Sequence, residues 1–314
     1  MIALTFEGYF STNDILLTEG SVFERLRRNP LVTFDADLAH AALVYDHKSA
    51  AALAEIHHEY FRIAANAGLP MMAFTDTWRA SAERIACSRF CGRNVNADCA
   101  SLLCNIREGY SSVTPIFVGG LIGCRGDAYK PAEALDKDAA FDFHAPQIEA
   151  LGDTNVDFLF AATLPAVTEA RGIALRMAAT SKPYIISFVI RPDGTVLDGT
   201  PLGQAIDLID QESINPPLAY CINCVHPIVL MSALDNGPFN RLIGIQGNTS
   251  KKCPEELDGF ECLDTQEPAE FAQDMWHAVK KGNLQICGGC CGTDARHISA
   301  LAQLIVAERK NGLR

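Results

Sequence analysis

Short apolar runs alternate with longer amphipathic stretches along most of the chain. Eight of the short runs are apolar or β-branched and are followed by polar or Gly-rich segments, a pattern that predicts strands. These runs are Ile15–Thr18, Met71–Thr75, Ile116–Gly119, Val156–Phe160, Tyr184–Val189, Leu218–Ile222, Leu242–Ile245 and Leu284–Cys287. The segments between them predict helices, among them Ala50–Asn66, Asp136–Gly152, Pro165–Ala179 and Asp294–Lys310.

Strands that alternate with helices predict a parallel sheet covered by helices on its faces. Eight such repeats fit an α/β fold of the (β/α)8 TIM-barrel type, which takes about 250 residues plus insertions. No linker divides the chain, so we expect a single domain over residues 1–314. The alternative is an open doubly wound sheet, but the first strand lacks the GxGxxG turn of that fold. In a barrel, functional residues are expected where strands end and loops begin.

The composition argues against several classes of protein. The 314 residues include 26 Lys+Arg and 38 Asp+Glu, a net charge of −12, and 48% are hydrophobic. This argues against a disordered chain and against nucleic-acid binding, which needs a basic surface. We find neither a secretory signal nor a membrane span, so we expect a cytoplasmic protein. Twelve cysteines then indicate thiols of a reducing compartment rather than a disulfide framework.

Two cysteine clusters fall at the ends of predicted strands. Cys221–Cys224 ends the sixth strand and Cys287–Thr293 follows the eighth, and each contains a CxxC spacing. Side chains alternate along a strand, so Cys221 and Cys224 should not both face the interior. Cys224 lies nearer the C-terminal end and is the better candidate ligand. Two glycines let the chain turn after strand eight, so that Cys290 and Cys291 could reach the same ion.

Three thiolates that converge on one point favour zinc and leave a fourth position open for a substrate. Zinc bound in this way suits the activation of a thiol for alkyl transfer. Two alternatives stay open at this point. One is a closed structural zinc site made of Cys221, Cys224, Cys287 and Cys290, and the other is a chain without metal.

The same residues resemble the homocysteine S-methyltransferase family. The resemblance rests on Asn223-Cys224 with Pro227, and above all on the string Gly288-Gly289-Cys290-Cys291-Gly292-Thr293. It implies a (β/α)8 barrel in which Cys224, Cys290 and Cys291 hold one zinc ion. It also implies transfer of a methyl group to zinc-bound homocysteine, giving methionine. The implied partners are a small-molecule thiol acceptor and a methyl donor. Whether a corrinoid protein delivers the methyl group stays open.

The chain departs from the family pattern where the homocysteine ammonium is expected to bind. The family's acid after strand one is represented here by Glu19, but its strand-four glutamate is replaced by Ala162, before Thr163. We expect Asp76 to compensate for the missing charge, and we add Thr163 and Asn223 to the candidate substrate-binding residues. Gly119–Gly123 also differs from the family and is expected to be a loop that lines the donor side.

Three hypotheses follow. The first is a zinc-dependent methyltransferase that acts on homocysteine, in which Cys224, Cys290 and Cys291 are the catalytic metal ligands. The second is a methyltransferase for another thiol, which the loss of the strand-four carboxylate at Ala162 would allow. The third is a zinc-stabilised barrel that binds a small ligand without catalysis.

Overall fold

The computed structural model is a closed barrel of eight parallel strands in the order β1 to β8, which confirms the (β/α)8 prediction and excludes the open sheet. The structure describes residues 5–12, 14–237, 239–252, 256 and 264–310. The strands are β1 Leu16–Thr18, β2 Met71–Phe74, β3 Ile116–Gly123, β4 Phe158–Leu164, β5 Tyr184–Phe188, β6 Ala219–Val225, β7 Leu242–Gly247 and β8 Ile286–Gly289. The single domain over residues 1–314 stays a prediction.

Helices connect successive strands and cover the outside of the barrel. The α-helices are α1 Phe6–Phe10, α2 Phe23–Arg27, α3 His47–Ala67, α4 Ala82–Cys87, α5 Val95–Glu108, α6 Lys137–Gly152, α7 Val167–Ala178, α8 Leu202–Glu212, α9 Pro227–Ala233, α10 Pro268–Gly282 and α11 Ala295–Lys310. Short 3-10 turns lie at His40–Tyr45, Pro131–Glu133 and Leu234–Asn236. Of the helices the structure describes, none combines the length and apolar character that crossing a membrane requires.

Local sequence signals set the ends of the long helices. The Asp46 carboxylate accepts a hydrogen bond from the Ser49 amide and caps α3. The helix therefore starts at His47, three residues before the predicted start at Ala50. Gly68 ends the same helix in the left-handed conformation, with φ of 63°, as its position after the apolar stripe predicts. Asp136 caps α6 in the same way as Asp46, through the Ala139 amide.

The third strand is longer than predicted. Gly119–Gly123, expected to be a loop on the donor side, forms the second half of β3 and pairs with Phe158–Ala162 of β4. Glycine is needed at two of these positions because a side chain would clash with its neighbours. A Cβ at Gly119 would lie 2.5 Å from the Phe158 ring, and one at Gly123 would lie 2.4 Å from Trp78. Glycine therefore marks close packing at these positions rather than a turn, and the prediction of a loop was wrong.

Apolar side chains fill the lower part of the barrel. The interior cluster contains Phe6 and Tyr9 of α1 together with inward residues of the strands, namely Leu16, Met72, Phe74, Phe117, Phe158, Phe160, Ala162, Ile185, Ala219, Cys221 and Ile286. Phe6 stacks on Phe158 with ring centroids 4.1 Å apart. The N-terminal end of the barrel is thus packed shut, and the open space lies at the C-terminal ends of the strands.

Candidate active site and metal centre

A cleft of about 610 Å³ opens at the C-terminal ends of the strands. All the candidate site residues line it: Glu19, Asp76, Thr163, Asn223, Cys224, Cys290 and Cys291. They come from β6 and from the segments that follow β1, β2 and β8, with Thr163 near the end of β4. The position agrees with the general location of active sites in barrels of this kind.

Three thiols meet at one side of this cleft. The sulfur atoms of Cys224, Cys290 and Cys291 all lie within 4.8 Å of one another, and the Cys224 and Cys291 sulfurs are 3.4 Å apart. Cys224 is buried and the other two are half-buried. Within the described part of the chain, this is the only group of three metal-ligating side chains so close together. The arrangement can bind a metal ion through soft donors.

A break in strand regularity brings Cys224 to the cleft. Cys221 belongs to the interior apolar cluster, as strand alternation predicts for one of the two cysteines. The pairing of β6 with β7 shifts between Asn223 and Val225, and Cys224 takes a φ of 61°, which is rare for a residue with a Cβ. The alternation alone could not predict this bulge, which turns the thiol toward the end of the barrel.

The Asn223 side chain holds the neighbouring strand ends together. Its Oδ1 accepts hydrogen bonds from the Thr163 amide at 2.9 Å and from the Ser187 hydroxyl at 2.7 Å. Its Nδ2 donates to the Thr163 hydroxyl at 2.7 Å. Thr163 also has a left-handed backbone, with φ of 59°. Asn223 therefore stabilises the strained backbone at Thr163, and the substrate-binding role expected for Asn223 and Thr163 stays a prediction.

Three consecutive amides fix the loop after β8. The Cys290 amide donates to the Gly247 carbonyl at 2.8 Å, and the Cys291 amide donates to Asn248 Oδ1 at 3.0 Å. The Gly292 amide donates to a Glu24 carboxylate oxygen at 2.6 Å. Gly292 has a φ of 82°, and a Cβ there would lie 1.9 Å from the Thr249 hydroxyl. The two adjacent thiols are thus held in place by backbone contacts.

The sulfur cluster stabilises negative charge at one of its members. Hydrogen bonds from Cys290 and Cys291, together with one from the Tyr129 hydroxyl, hold the pKa of Cys224 well below its usual range. The same contacts with Cys224 raise the pKa of Cys290 and of Cys291. The Tyr129 Oη lies 2.7 Å from Cys224 Sγ.

Two carboxylates that line the same cleft share a buried histidine. His57 Nδ1 lies 3.1 Å from Glu19 Oε2, and His57 Nε2 lies 3.2 Å from Asp76 Oδ2. Burial alone would lower the pKa of His57, but Asp76 and Glu19 raise it to about 10. His40 Nε2 lies 3.6 Å from the other Asp76 oxygen, and burial lowers the pKa of His40. Burial raises the pKa of Glu19. With both carboxylates ionised, the group of Glu19, charged His57 and Asp76 carries a net charge of about −1.

Sequence analysis did not single out His57, although a signal was present. His57 lies on the apolar face of α3, between Leu53 and Phe61 at intervals of four residues. A polar residue on such a stripe must find partners in the interior. Two other buried histidines have structural contacts: His226 caps α9 and contacts Gln266, and His297 contacts Asp294 in the first turn of α11.

The closed four-cysteine site is not formed. Among the described residues, the sulfur cluster contains neither Cys221 nor Cys287, and burial raises the pKa of both thiols. These two side chains behave as small apolar residues of the packed interior. Cys253 and Cys262, which the sequence left without an interpretation, lie outside the described residues.

Comparison with known proteins agrees with this geometry. A family profile described as homocysteine S-methyltransferase matches residues 16–305. The chain belongs to the homocysteine S-methyltransferase family. It is accordingly a methyltransferase, and the resemblance inferred from the cysteine motif is confirmed.

Individual relatives of this family are distant in sequence. The homocysteine S-methyltransferase of Escherichia coli is 24% identical over 317 residues, which cover 92% of this chain and 94% of that protein. Homocysteine S-methyltransferase YbgG of Bacillus subtilis is 26% identical over 181 residues, so the match spans about 56% of either chain.

Solved structures share the fold. The homocysteine methyltransferase MmuM of Escherichia coli matches in its oxidized form with a TM-score of 0.74 at 23% identity, covering 94% of this chain and 97% of that one. Its metallated form matches with a TM-score of 0.73 at 22% identity, covering 94% and 98% of the two chains. At this identity the likeness establishes the barrel architecture.

Proposed function

We propose that the protein is a zinc-dependent methyltransferase that moves a methyl group onto the thiol of homocysteine and so produces methionine. The observation that carries the proposal is the convergence of three thiols in the cleft at the open end of the barrel. Membership of the homocysteine S-methyltransferase family supports the choice of acceptor.

The donor set suits zinc. Cys224, Cys290 and Cys291 would hold the ion, because three sulfur ligands on rigid strand ends select a soft or borderline metal and leave room for one more ligand. Bound zinc would lower the pKa of the acceptor thiol, so that the thiolate is available at neutral pH. The protein contributes ligands that are already fixed by the backbone contacts of the loop after β8.

The charged group on the cleft wall is suited to the amino-acid end of homocysteine. An ammonium taken out of water needs an anionic partner, and Glu19 and Asp76 with His57 between them supply one net negative charge. The Thr163 hydroxyl accepts a hydrogen bond from Asn223 and so has its own proton to donate to the substrate carboxylate. We assign substrate positioning to Glu19, Asp76, Thr163 and Asn223.

Methyl transfer in this site depends mainly on positioning. A bond forms between the acceptor sulfur and the methyl carbon while the bond from that carbon to the donor breaks, and its electron pair leaves with the donor. The cleft would hold the sulfur, the carbon and the leaving group in line. A small-molecule donor fits this scheme, and a corrinoid protein is an alternative methyl source.

The test compares zinc content and turnover in reduced protein. We expect a single zinc ion per chain in the natural protein and in Cys221→Ala, a matched change at a buried thiol outside the cluster. Cys290→Ala should lose both the zinc and methyl transfer to homocysteine. An active, zinc-free Cys290→Ala would contradict the proposal. Retained zinc without transfer to any thiol would favour the ligand-binding barrel without catalysis.

A second candidate function, methyl transfer to a thiol without an amino-acid group, is favoured by Ala162. This residue lines the cleft near the end of β4, where the family pattern has a glutamate, and its methyl group offers no charge. One carboxylate fewer on the cleft wall weakens the case for an ammonium-bearing acceptor.

A panel of thiols with and without the amino-acid group separates the two functions. If homocysteine is the acceptor, Asp76→Asn should raise its KM by about tenfold, equivalent to ~1.4 kcal/mol of lost binding. The KM of a thiol of similar length without the ammonium should stay unchanged in the same variant. Equal use of both thiols by the natural protein, with no effect of Asp76→Asn, would favour the second function.

A further inference from the structure

The loop between β3 and α6 reaches over the sulfur cluster. It covers residues 124–136, and Tyr129 lies in its first half. The Tyr129 hydroxyl is 2.7 Å from Cys224 Sγ, within hydrogen-bonding distance of the sulfur. This contact joins the loop to the strand that carries the thiol, although the two are far apart in the sequence.

A buried carboxylate on a different helix holds both ends of this loop. Glu169 Oε1 accepts a hydrogen bond from the Arg125 amide at 2.7 Å, and Oε2 accepts one from the Leu135 amide at 3.4 Å. His144 Nε2 lies 2.8 Å from Glu169 Oε1. The side chains of Glu169 and His144 are 0% and 1% exposed.

The partners of Glu169 show what its burial achieves. A carboxylate withdrawn from water is unfavourable unless it is hydrogen-bonded, and two of the partners here are backbone amides of one loop. The Thr168 hydroxyl adds a bond of 2.9 Å to the Leu135 carbonyl. Fixing the ends of the loop is therefore the main structural effect of this buried charge.

Contacts inside the loop transmit this anchoring to Tyr129. The Tyr129 amide donates to Asp127 Oδ1 at 3.0 Å, and the Asp127 amide donates to Glu133 Oε2 at 3.0 Å. Arg79 Nη1 donates to the Gly126 carbonyl at 2.8 Å. Between its two anchored ends, the loop is thus a connected unit with one side chain directed at the thiols.

We propose that Glu169, paired with His144, is a positioning residue that sets this loop so that Tyr129 donates a hydrogen bond to the metal-bound sulfur of Cys224. The inference rests on the proposed function, because it assumes that Cys224 is a zinc ligand. A hydrogen bond to a coordinating sulfur withdraws charge from it and fixes its orientation. Loss of such an outer partner typically weakens metal binding by about 10–100-fold.

The test measures the rate of zinc release from reduced, zinc-loaded protein to a coloured chelator. Tyr129→Phe should release zinc about tenfold faster, and Glu169→Gln should change the rate in the same direction. If Glu169 acts through Tyr129, the double variant should release zinc no faster than Tyr129→Phe alone. Tyr184→Phe is the control, because its hydroxyl bonds Ser213 and Asn215 at the N-terminal end of β5, away from the cleft.

Cobalt substitution gives a second measurement that does not depend on activity. The sulfur-to-metal absorption bands should shift in Tyr129→Phe and in Glu169→Gln but not in Tyr184→Phe. If Glu169→Gln fails to fold, His144→Ala takes its place, since it removes one partner and leaves the carboxylate.

The outcomes separate this inference from the proposed function. Rates that multiply in the double variant would show that Glu169 does not act through Tyr129. Unchanged release and unchanged cobalt bands in Tyr129→Phe would overturn the role of its hydroxyl. A natural protein that binds no zinc would instead contradict the proposed function.

Discussion

At the scale of single residues, His57 determines the charge of one wall of the cleft. Two buried carboxylates so close together would repel each other, and a neutral residue between them would leave both uncompensated. His57 contacts one with each ring nitrogen, so the group can be buried while it keeps one net negative charge. The same contacts that would select a cationic substrate group therefore also stabilise the fold.

The stability of the protein should fall as the pH rises past neutrality. The pKa of His57 is about 10 in the folded chain and near 6.5 when unfolded. Its contribution is therefore complete below about pH 6.5 and is lost as the pH rises through about 10, with a slope approaching ~1.4 kcal/mol per pH unit. Urea unfolding at intervals between pH 6 and 10 measures this slope.

Two variants assign the slope to this group. Asp76→Asn removes one carboxylate, so the pKa of His57 should drop. The decline should still begin near pH 6.5, but it should end at lower pH and the total loss of stability should be smaller. His58→Gln, on the same helix but beside the Tyr110 hydroxyl, should keep the natural profile. A decline that is identical in the natural protein and in Asp76→Asn would contradict the assignment.

At the scale of elements, strand starts and helix ends could be predicted, but the irregular strand ends could not. Apolar runs and caps such as Asp136 and Gly68 act locally, so their sequence signals are direct. The left-handed conformations at Thr163 and Cys224 are disfavoured by about 1–3 kcal/mol each. They persist because the Asn223 side chain ties the ends of β4, β5 and β6, a contact no single segment reveals.

Those parts of the candidate site that have a local sequence signal could also be predicted. The cysteine spacing after β8 is a local signal, and the carboxylate after β1 follows directly from the strand pattern. The roles of Tyr129 and Glu169 depend on a loop that is anchored by another helix. Glu169 shares the buried face of α7 with Ile173 and Met177 at intervals of four residues, which is the one signal the sequence gives.

At the scale of the whole molecule, one end of the barrel is packed with side chains and the other holds the candidate site. The N-terminal end is filled by aromatic side chains, with Phe6 of α1 stacked on Phe158 and edge-on to Phe117. The C-terminal end holds the thiols and the charged group around open space. The aromatic side chains of α1 pack against the strands without lining the cleft, so stability and function should be separable by mutation there.

A change at the packed end should therefore lower stability and leave the site intact. Phe6 is 3% exposed, and Phe6→Ala should reduce the free energy of unfolding by about 3–5 kcal/mol, as is typical for a buried aromatic residue. Phe10→Ala, on the same helix but only half-buried, should cost less. Because neither side chain lines the cleft, both variants should keep their zinc and the KM for the acceptor while folded. Urea unfolding alongside zinc analysis checks this, and loss of zinc from folded Phe6→Ala would show that the two ends of the barrel are coupled.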